Sequence, residues 1–332
     1  MKKVTVLMSA YNHEKYIERS IESVLNQTFQ DFYFKIADDC STDGTAKKII
    51  KYENKIDEIH LYDSNSGCGR ISDMLNETFT PYVAMTHSDD FWGATKLEKQ
   101  VAYLESHPEC AACFTWVKLI DDTGNEIKDR GFCQKNRKKE EWIRFFWSTS
   151  NCLAHPSIVI RTDLYKELTQ YENLTVYRQL PDYYMWIKLL QKHNIYILPE
   201  KLVTFRIHGS ENMSAPTLKN TLRDNIEQSF IWYELMKKID DSFFKKAFGD
   251  IWFNKNANTK EEITCEKFLM LASSPVSGIA QAATWYYMDA MKNKKVYNVL
   301  KEEYGFDSKQ FYELEFERGY MKEVLKNLNL RS

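Results

Sequence analysis

Two pairs of adjacent carboxylates, Asp38-Asp39 and Asp89-Asp90, fall in the first third of the chain. Hard oxygen ligands of this kind suit Mg²⁺ or Mn²⁺, which take a few carboxylates and complete their shell with water and phosphate. One carboxylate of Asp89-Asp90 can hold an ion while its neighbour reaches a ribose hydroxyl. At Asp38-Asp39, a carboxylate can accept an N–H from a uracil-like ring while Tyr11 stacks on the base. Each pair also has a plainer reading. Asp89-Asp90 can cap the helix expected near Lys96, and Asp39 or Ser41 can cap the helix that follows them.

The elements around these residues decide between the two readings. Val4 to Ala10 reads as a buried strand, followed by Tyr11-Asn12-His13 and by Ile17, Ile21, Val24 and Leu25 at helical spacing. Phe32 to Ala37 is a second strand that stops at Asp38-Asp39, with a helix expected from the Ser41-Thr45 cluster through Tyr52. Ile59 to Tyr62 is a third strand, followed by the loop Asn65-Ser66-Gly67-Cys68-Gly69 and a helix from Arg70 to Asn76. A fourth, Tyr82 to Thr86, stops at His87-Ser88-Asp89-Asp90. Strands alternating with helices predict a mostly parallel sheet, an α/β fold. Ligands of such sheets bind beyond the carboxyl ends of the strands. Four polar clusters at four strand ends therefore predict one site.

Further on, Ala112 to Ile120, Ser157 to Ile160 and Ile195 to Phe205 read as strands and Asp182 to Gln191 as a helix. Residues 218–332 read as successive helices, with breaks at Ser273-Ser274-Pro275 and Tyr304-Gly305.

Composition narrows the partners. The chain has 332 residues and a net charge of −2, which excludes diffuse attraction to nucleic acid or anionic membrane as its organising theme. Seven cysteines without regular spacing argue against a secreted disulfide framework. The N-terminus carries no signal-peptide pattern, and no stretch approaches the roughly 20 apolar residues of a membrane span. The expectation is a cytoplasmic protein, with the inner membrane face as a peripheral location. The basic run Lys135-Asn136-Arg137-Lys138-Lys139 could steer a phosphorylated or lipid-linked acceptor, but the adjacent Glu140-Glu141 weakens that case.

Taken in order, Ser9-Ala10-Tyr11-Asn12, Asp38-Asp39-Cys40-Ser41-Thr42-Asp43-Gly44-Thr45, Asn65-x-Gly67 and His87-Ser88-Asp89-Asp90 resemble the family 2 nucleotide-sugar glycosyltransferases. These are inverting enzymes of the GT-A fold, a Rossmann-like sheet flanked by helices. The second motif departs from the family's DDGSTDGT only in having Cys40 for Gly, and His87 stands where the family often has the first Asp of its Asp-x-Asp-Asp (DXD) motif. The resemblance covers residues 1–214, implying a catalytic domain there and a mainly helical region over 215–332. By position it implies a donor site of Ser9, Tyr11, Asp39, Arg70 and Asp89, with Tyr11 and Asp39 on uracil and Asp89 on ribose. Asp90 would bind Mn²⁺ or Mg²⁺ beneath the diphosphate of a UDP-sugar.

The family's catalytic base is an Asp a few residues ahead of Leu-Trp. Pro181-Asp182-Tyr183-Tyr184-Met185-Trp186 matches with Pro and Met substituted, making Asp182 the candidate base. Inversion by single displacement needs one carboxylate to take the acceptor's proton. The plainer role for Asp182 is a helix cap. The segment Phe205-Arg206-Ile207-His208 resembles the family's closing Tyr-Arg-x-His, where Arg206 or His208 would meet the diphosphate and His208 the metal. His155-Pro156-Ser157 resembles a family segment without a chemical role. Trp186 is either an acceptor platform or core.

The implied enzyme transfers a hexosyl or N-acetylhexosaminyl group to a hydroxyl of a surface glycan, glycolipid or glycoprotein, in polysaccharide biosynthesis. A homodimer through the C-terminal helices is an accompanying expectation. The alternatives are a sugar nucleotidyltransferase or a non-catalytic scaffold on the same fold. Gly67-Cys68-Gly69 is a lone G-x-G in the wrong loop for a dinucleotide-binding oxidoreductase. A processive synthase would need membrane spans and a Gln-x-x-Arg-Trp motif.

Overall fold

The computed structural model describes residues 2–67, 70–170, 174–209 and 217–317. The chain divides into two compact units, Met1–Phe146 with Ser150–Asp224, and Trp147–Thr149 with Asn225–Ser332. The expected boundary at Ser214, and the punctuation at Ser214-Ala215-Pro216, lie outside the described residues.

In the first unit, β1 (Val4–Ala10) encloses Val4, Val6, Leu7 and Met8 completely. Burial on both faces is why this strand reads as an unbroken apolar run instead of an alternation. Helix α1 (Ile17–Leu25) buries Ile17, Ile21 and Val24, the stripe its spacing predicts. Then come β2 (Phe32–Asp38), α2 (Thr45–Ile50), β3 (Glu58–Leu61), α3 (Arg70–Asn76) and β4 (Tyr82–His87). Strands β3-β2-β1-β4 form the parallel part of the sheet, as the alternation implied. Helix α2 stops at Ile50, with turns carrying the chain on towards Tyr52. Ser9 lies opposite both Ala37 and His87, and Ala10 opposite Asp38, so the three strands end level with one another.

Past β4 the directions mix. The elements are β5 (Phe91–Trp92), α4 (Lys96–Ser106), β6 (Cys110–Ile120), α5 (Lys139–Thr149), β7 (Val159–Arg161), α6 (Thr162–Gln170), α7 (Pro181–Lys192) and β8 (Asn194–Arg206). β7 runs antiparallel to both β4 and β6, β6 is parallel to β8, and β5 is antiparallel to β8, giving the order β3-β2-β1-β4-β7-β6-β8-β5. Ser157, expected in a strand, instead closes a short 3₁₀ turn, His155–Ser157.

The two-residue strand β5 matters more than its length suggests. Phe91 faces Thr204 and Trp92 faces Val203, which draws the preceding Asp89-Asp90 alongside Arg206.

The second unit is helical: α8 (Leu218–Lys238) from Asn225 onwards, α9 (Asp241–Phe248), α10 (Lys260–Ala272), α11 (Ser277–Ala290), α12 (Lys294–Glu303) and α13 (Ser308–Glu317). The expected breaks at Ser273-Pro275 and Tyr304-Gly305 separate α10 from α11 and α12 from α13. Thr259 and Glu262 cap α10 reciprocally, each side chain bonding the other's backbone N–H. Gly278 lets α11 approach α8 closely, since a Cβ there would lie 2.8 Å from Gln228 and 2.9 Å from Asn225. Among the described residues, no helix is long and apolar enough to cross a membrane.

Lys96 lies in the core. It is fully buried, its Nζ 3.9 Å above the Trp92 ring and, among the described residues, without a hydrogen-bond partner. Burial pushes its ammonium down from 10.5 to about 7. A base whose pKa falls on folding binds fewer protons folded than unfolded, so stability should rise with pH between about 7 and 10.5. Lys96→Met should raise the unfolding free energy at pH 7 by about 1–3 kcal/mol, the cost of an unpaired buried polar group. It should also flatten this pH dependence, as urea titrations at several pH values would read.

Candidate active site

The turn after β4 carries the densest chemistry. Asp89 and Asp90 are both buried, Asp90 more completely. Asp90 Oδ1 accepts the backbone N–H of Arg206 at 2.8 Å, a direct product of the β5–β8 pairing. Its Oδ2 is buried without a hydrogen bond, although His87 Nδ1 lies 3.3 Å away. Asp89 Oδ2 lies 3.0 Å from His208 Nε2, and its Oδ1 is 3.9 Å from His13 Nδ1. The other ring nitrogen of His208 is bonded to Asp122, which fixes the ring's orientation. His13 stacks on His208 with centroids 5.7 Å apart.

These charges are not independent. Burial raises Asp90, and the Asp89 charge raises it further. For Asp89 the burial penalty is outweighed by the His208 bond and the His13 and His87 imidazoles, so its carboxyl sits below the ordinary range. His208 is raised, first by its bond to Asp89. His87 is raised too, because Asp90, Asp89 and Asp182 together outweigh its desolvation. His13 is lowered by burial despite Asp89.

Two sets of ligand atoms here could hold a divalent cation: His13, Asp89 and His208, and His87, Asp89 and Asp90. Asp89 belongs to both. The Asp90 Oδ2, without a hydrogen bond, and the carboxylates suit Mn²⁺ or Mg²⁺, while the imidazole donors favour Mn²⁺ over the oxygen-seeking Mg²⁺.

The ends of β1 and β2 form the adjoining part of the site. Asp38 accepts the N–H of Ser41 at 2.9 Å and its hydroxyl at 2.6 Å, closing the turn. Asp39 turns the other way. Its Oδ1 accepts from the Ser66 N–H at 2.8 Å and from Arg70 Nε at 3.0 Å, and its Oδ2 from the Gly67 N–H at 3.0 Å. Arg70 lies over the Tyr62 ring at 3.6 Å and donates to the Ser64 carbonyl at 2.6 Å. Asp39 and Arg70 thus clasp the Asn65–Gly67 loop to the end of β2. Tyr11 stands exposed beside them, and Ser9 is half-buried in β1.

Asp182 opens α7, where Tyr183 donates its N–H to Oδ1 at 2.8 Å and Asn151 Nδ2 donates to Oδ2 at 3.1 Å. Burial pushes its carboxyl up to about 6, against those two donors and the His87 imidazole. A carboxylate held near 6 is ionised at neutral pH and basic enough to accept a proton. His87 couples through charge to both Asp90 and Asp182.

One expectation changes, and one open alternative closes. Arg206 is buried, with Nε on the Asp89 carbonyl at 3.3 Å and Nη1 on the Asp121 carbonyl at 2.8 Å. Its cationic plane lies over Tyr16 at 4.2 Å. Those donors brace the acidic turn from behind, so the edges that carry them cannot grip a diphosphate. Trp186 is 1% exposed and packs edge-on against Phe114 at 5.1 Å, so it is core and no acceptor platform. His155 now has a role: it pairs with Tyr165 at 3.0 Å and sets its ring edge-on to His87 at 5.5 Å. Burial takes it down to about 3, so it backs the site as a neutral ring. Sequence reasoning did not find His13, His87, Asp122 and Asn151. His13 and His87 carried a usable signal, since both lie at strand ends; Asp122 and Asn151 carried none.

A mixed α/β sheet with these carboxylates at its strand ends defines a glycosyltransferase of the GT-A type. The family model "Glycosyl transferase family 2" matches residues 5–168. An uncharacterized glycosyltransferase of Methanocaldococcus jannaschii is 30% identical over 251 residues, covering 74% of this chain and 84% of that protein. The chain belongs to glycosyltransferase family 2. In fold it is similar to Staphylococcus aureus TarS residues 1–349 in complex with UDP-GlcNAc, with a TM-score of 0.57, 18% identity, and 91% and 92% of the two chains covered. It is also similar to the mannosyltransferase PcManGT of Pyrobaculum calidifontis in complex with GDP-Man and Mn²⁺, with a TM-score of 0.53, 13% identity and coverage of 98% and 87%.

Cys40 takes up the left-handed φ of 65° that the resemblance assigns to Gly. A side chain there costs about 1–2 kcal/mol, partly offset by glycine's greater freedom when unfolded. Cys40→Gly should therefore stabilise the protein by roughly 0.5–1 kcal/mol. A higher urea midpoint at unchanged m-value is the expected reading.

Proposed function

We propose that residues 1–214 form a metal-dependent inverting transferase. It would move a hexosyl or N-acetylhexosaminyl group from a UDP-sugar to a hydroxyl of a surface glycan, glycolipid or glycoprotein. The observation that carries this reading is Asp89, a buried low-pKa carboxylate common to both cation-binding sets. Its greater exposure favours it over Asp90 as the principal ligand, because a diphosphate has to reach the same ion. This differs from the positional reading, which gave the metal to Asp90 and the ribose to Asp89. His208 completes the set, and Asp122 holds its ring. Bound there, Mn²⁺ or Mg²⁺ would offset the charge that builds on the leaving diphosphate.

The remaining roles fall to the chain's own side chains. Among the described residues Asp39 Oδ2 accepts one hydrogen bond, from the Gly67 N–H, which leaves it capacity to accept an N–H from the base. Tyr11 offers a face for stacking, and Arg70 holds Asp39 in place. Asp182 takes the acceptor's hydroxyl proton as the acceptor oxygen bonds to the anomeric carbon. The bond from that carbon to the phosphate oxygen breaks, and its electron pair leaves with the diphosphate.

Calorimetry with UDP and Mn²⁺, with GDP in parallel, tests the donor half. UDP should bind more tightly with the ion present, and Asp89→Ala should lose that gain at least tenfold. Binding indifferent to both the ion and the substitution would overturn the reading, and a preference for GDP would reassign the base. For the catalytic half, Asp182→Asn should retain UDP affinity while lowering kcat at least a thousandfold with whichever member of a nucleotide-sugar panel is turned over. Retained turnover would remove Asp182 as the base.

A further inference from the structure

Helix α5 ends on a residue in unusual geometry. Ser150 has φ 71° and ψ −165°, a region almost reserved for glycine. It still donates its N–H to the Phe146 carbonyl at 2.8 Å, so the helix is closed and the strain is localised where the chain leaves it. The residue delivered by that exit is Asn151.

The Asn151 amide is held at both ends. Its Oδ1 accepts the Leu153 N–H at 3.2 Å, and its Nδ2 donates to Asp182 Oδ2 at 3.1 Å. Flipping the amide would set an oxygen against a carboxylate oxygen and an NH₂ against an N–H, losing both bonds. The donor is therefore locked onto Asp182. The other oxygen of Asp182 takes the Tyr183 N–H at 2.8 Å, so the two donors between them fix the plane of the carboxylate.

Such an arrangement answers a need specific to a base in a buried place. The carboxylate has to stay ionised where burial favours the acid, and it has to aim a lone pair at the incoming hydroxyl. Several groups among the described residues bear on Asp182. Asn151 and the Tyr183 N–H donate to it, while the His87 imidazole and the Tyr165 phenol couple to it through charge. Of the two hydrogen bonds, the Tyr183 N–H comes with the helix start, so Asn151 is the one supplied by a side chain.

We infer that Asn151 is a positioning residue for the transfer reaction, orienting and ionising Asp182 from the strained exit of α5. This rests on the reading of Asp182 as the base. It names a residue that neither the motif set nor the chain's similarity to its relatives assigns.

The test uses the full chain loaded with Mn²⁺. The Asp182 carboxylate is followed by difference infrared titration, with Asp182→Asn as the blank. Asn151→Leu keeps the volume and removes the donor; it should move the Asp182 midpoint upward by at least half a pH unit. Asn151→Asp sets a second carboxylate there and should move it further in the same direction. UDP affinity by calorimetry should stay within twofold for both variants, which checks that the fold survives. With the nucleotide sugar that the wild type turns over, Asn151→Leu should lower kcat about tenfold at unchanged KM and shift the acid limb of the pH profile upward.

An unmoved midpoint, or a lowered kcat with the acid limb in place, would overturn the proposal and leave Asn151 a structural residue. A shifted midpoint alongside an Asp182→Asn enzyme that still turns over would separate the failures. The contact would stand, but the base, and with it any catalytic role for Asn151, would fall.

Discussion

Two carboxylates on neighbouring residues, both withdrawn from water, are the constraint around which this site is organised. Adjacent like charges in a poorly solvated turn cannot both stay ionised without compensation. Here the compensation is divided. Asp89 keeps its charge through the imidazoles of His13, His87 and His208, while Asp90 shifts towards the acid and is held by a backbone N–H. Arg206, buried behind the turn, binds the backbone carbonyls of Asp89 and Asp121, so its charge braces the turn without neutralising a carboxylate directly. The result is a turn with spare acceptor capacity and a residual negative charge, which a divalent cation would complete.

That arrangement depends on the shortest strand in the sheet. Phe91 and Trp92 pair with Val203 and Thr204, and this brings residues 116 to 119 positions apart into contact around Asp89-Asp90. The parallel strands do the complementary work. Because β1, β2 and β4 are in register to their ends, Tyr11, Asp39 and His87 leave the sheet at one level. His87 lies 3.3 Å from Asp90 and couples through charge to the buried carboxylate at the start of α7. An imidazole at that point, in place of the carboxylate common in the family, adds no further negative charge to two crowded acidic groups.

Much of the sheet was legible because buried parallel strands and amphipathic helices leave strong periodic traces. β1, α1, α3 and the strand over residues 82–87 need no tertiary information to be recognised. What misled at the margins was local. Ser157 reads as strand because its neighbours are apolar, yet a proline beside it favours a turn. Trp186 lies in the motif of the candidate base, and its sequence left two readings, acceptor platform or core. In the structure its indole is 1% exposed and belongs to the core. The resemblance set Arg206 or His208 at the diphosphate, but nothing in a sequence says how many backbone carbonyls will surround a guanidinium.

By itself the sequence determined the types of group and the ends at which they emerge. Carboxylates follow the strands, a tyrosine and histidines flank them, and an aspartate opens a helix after proline. Those are consequences of short-range patterning, readable because strand and helix periods are fixed by backbone geometry. Only the tertiary structure decided which groups share charge and which stand aside. Pairing across the sheet brought His208 and Asp122 to Asp89, and the strained end of α5 brought Asn151 to Asp182. Ionisation and orientation depend on distances between residues far apart in the chain. Local pattern cannot encode those distances, and a packed sheet sets them all at once.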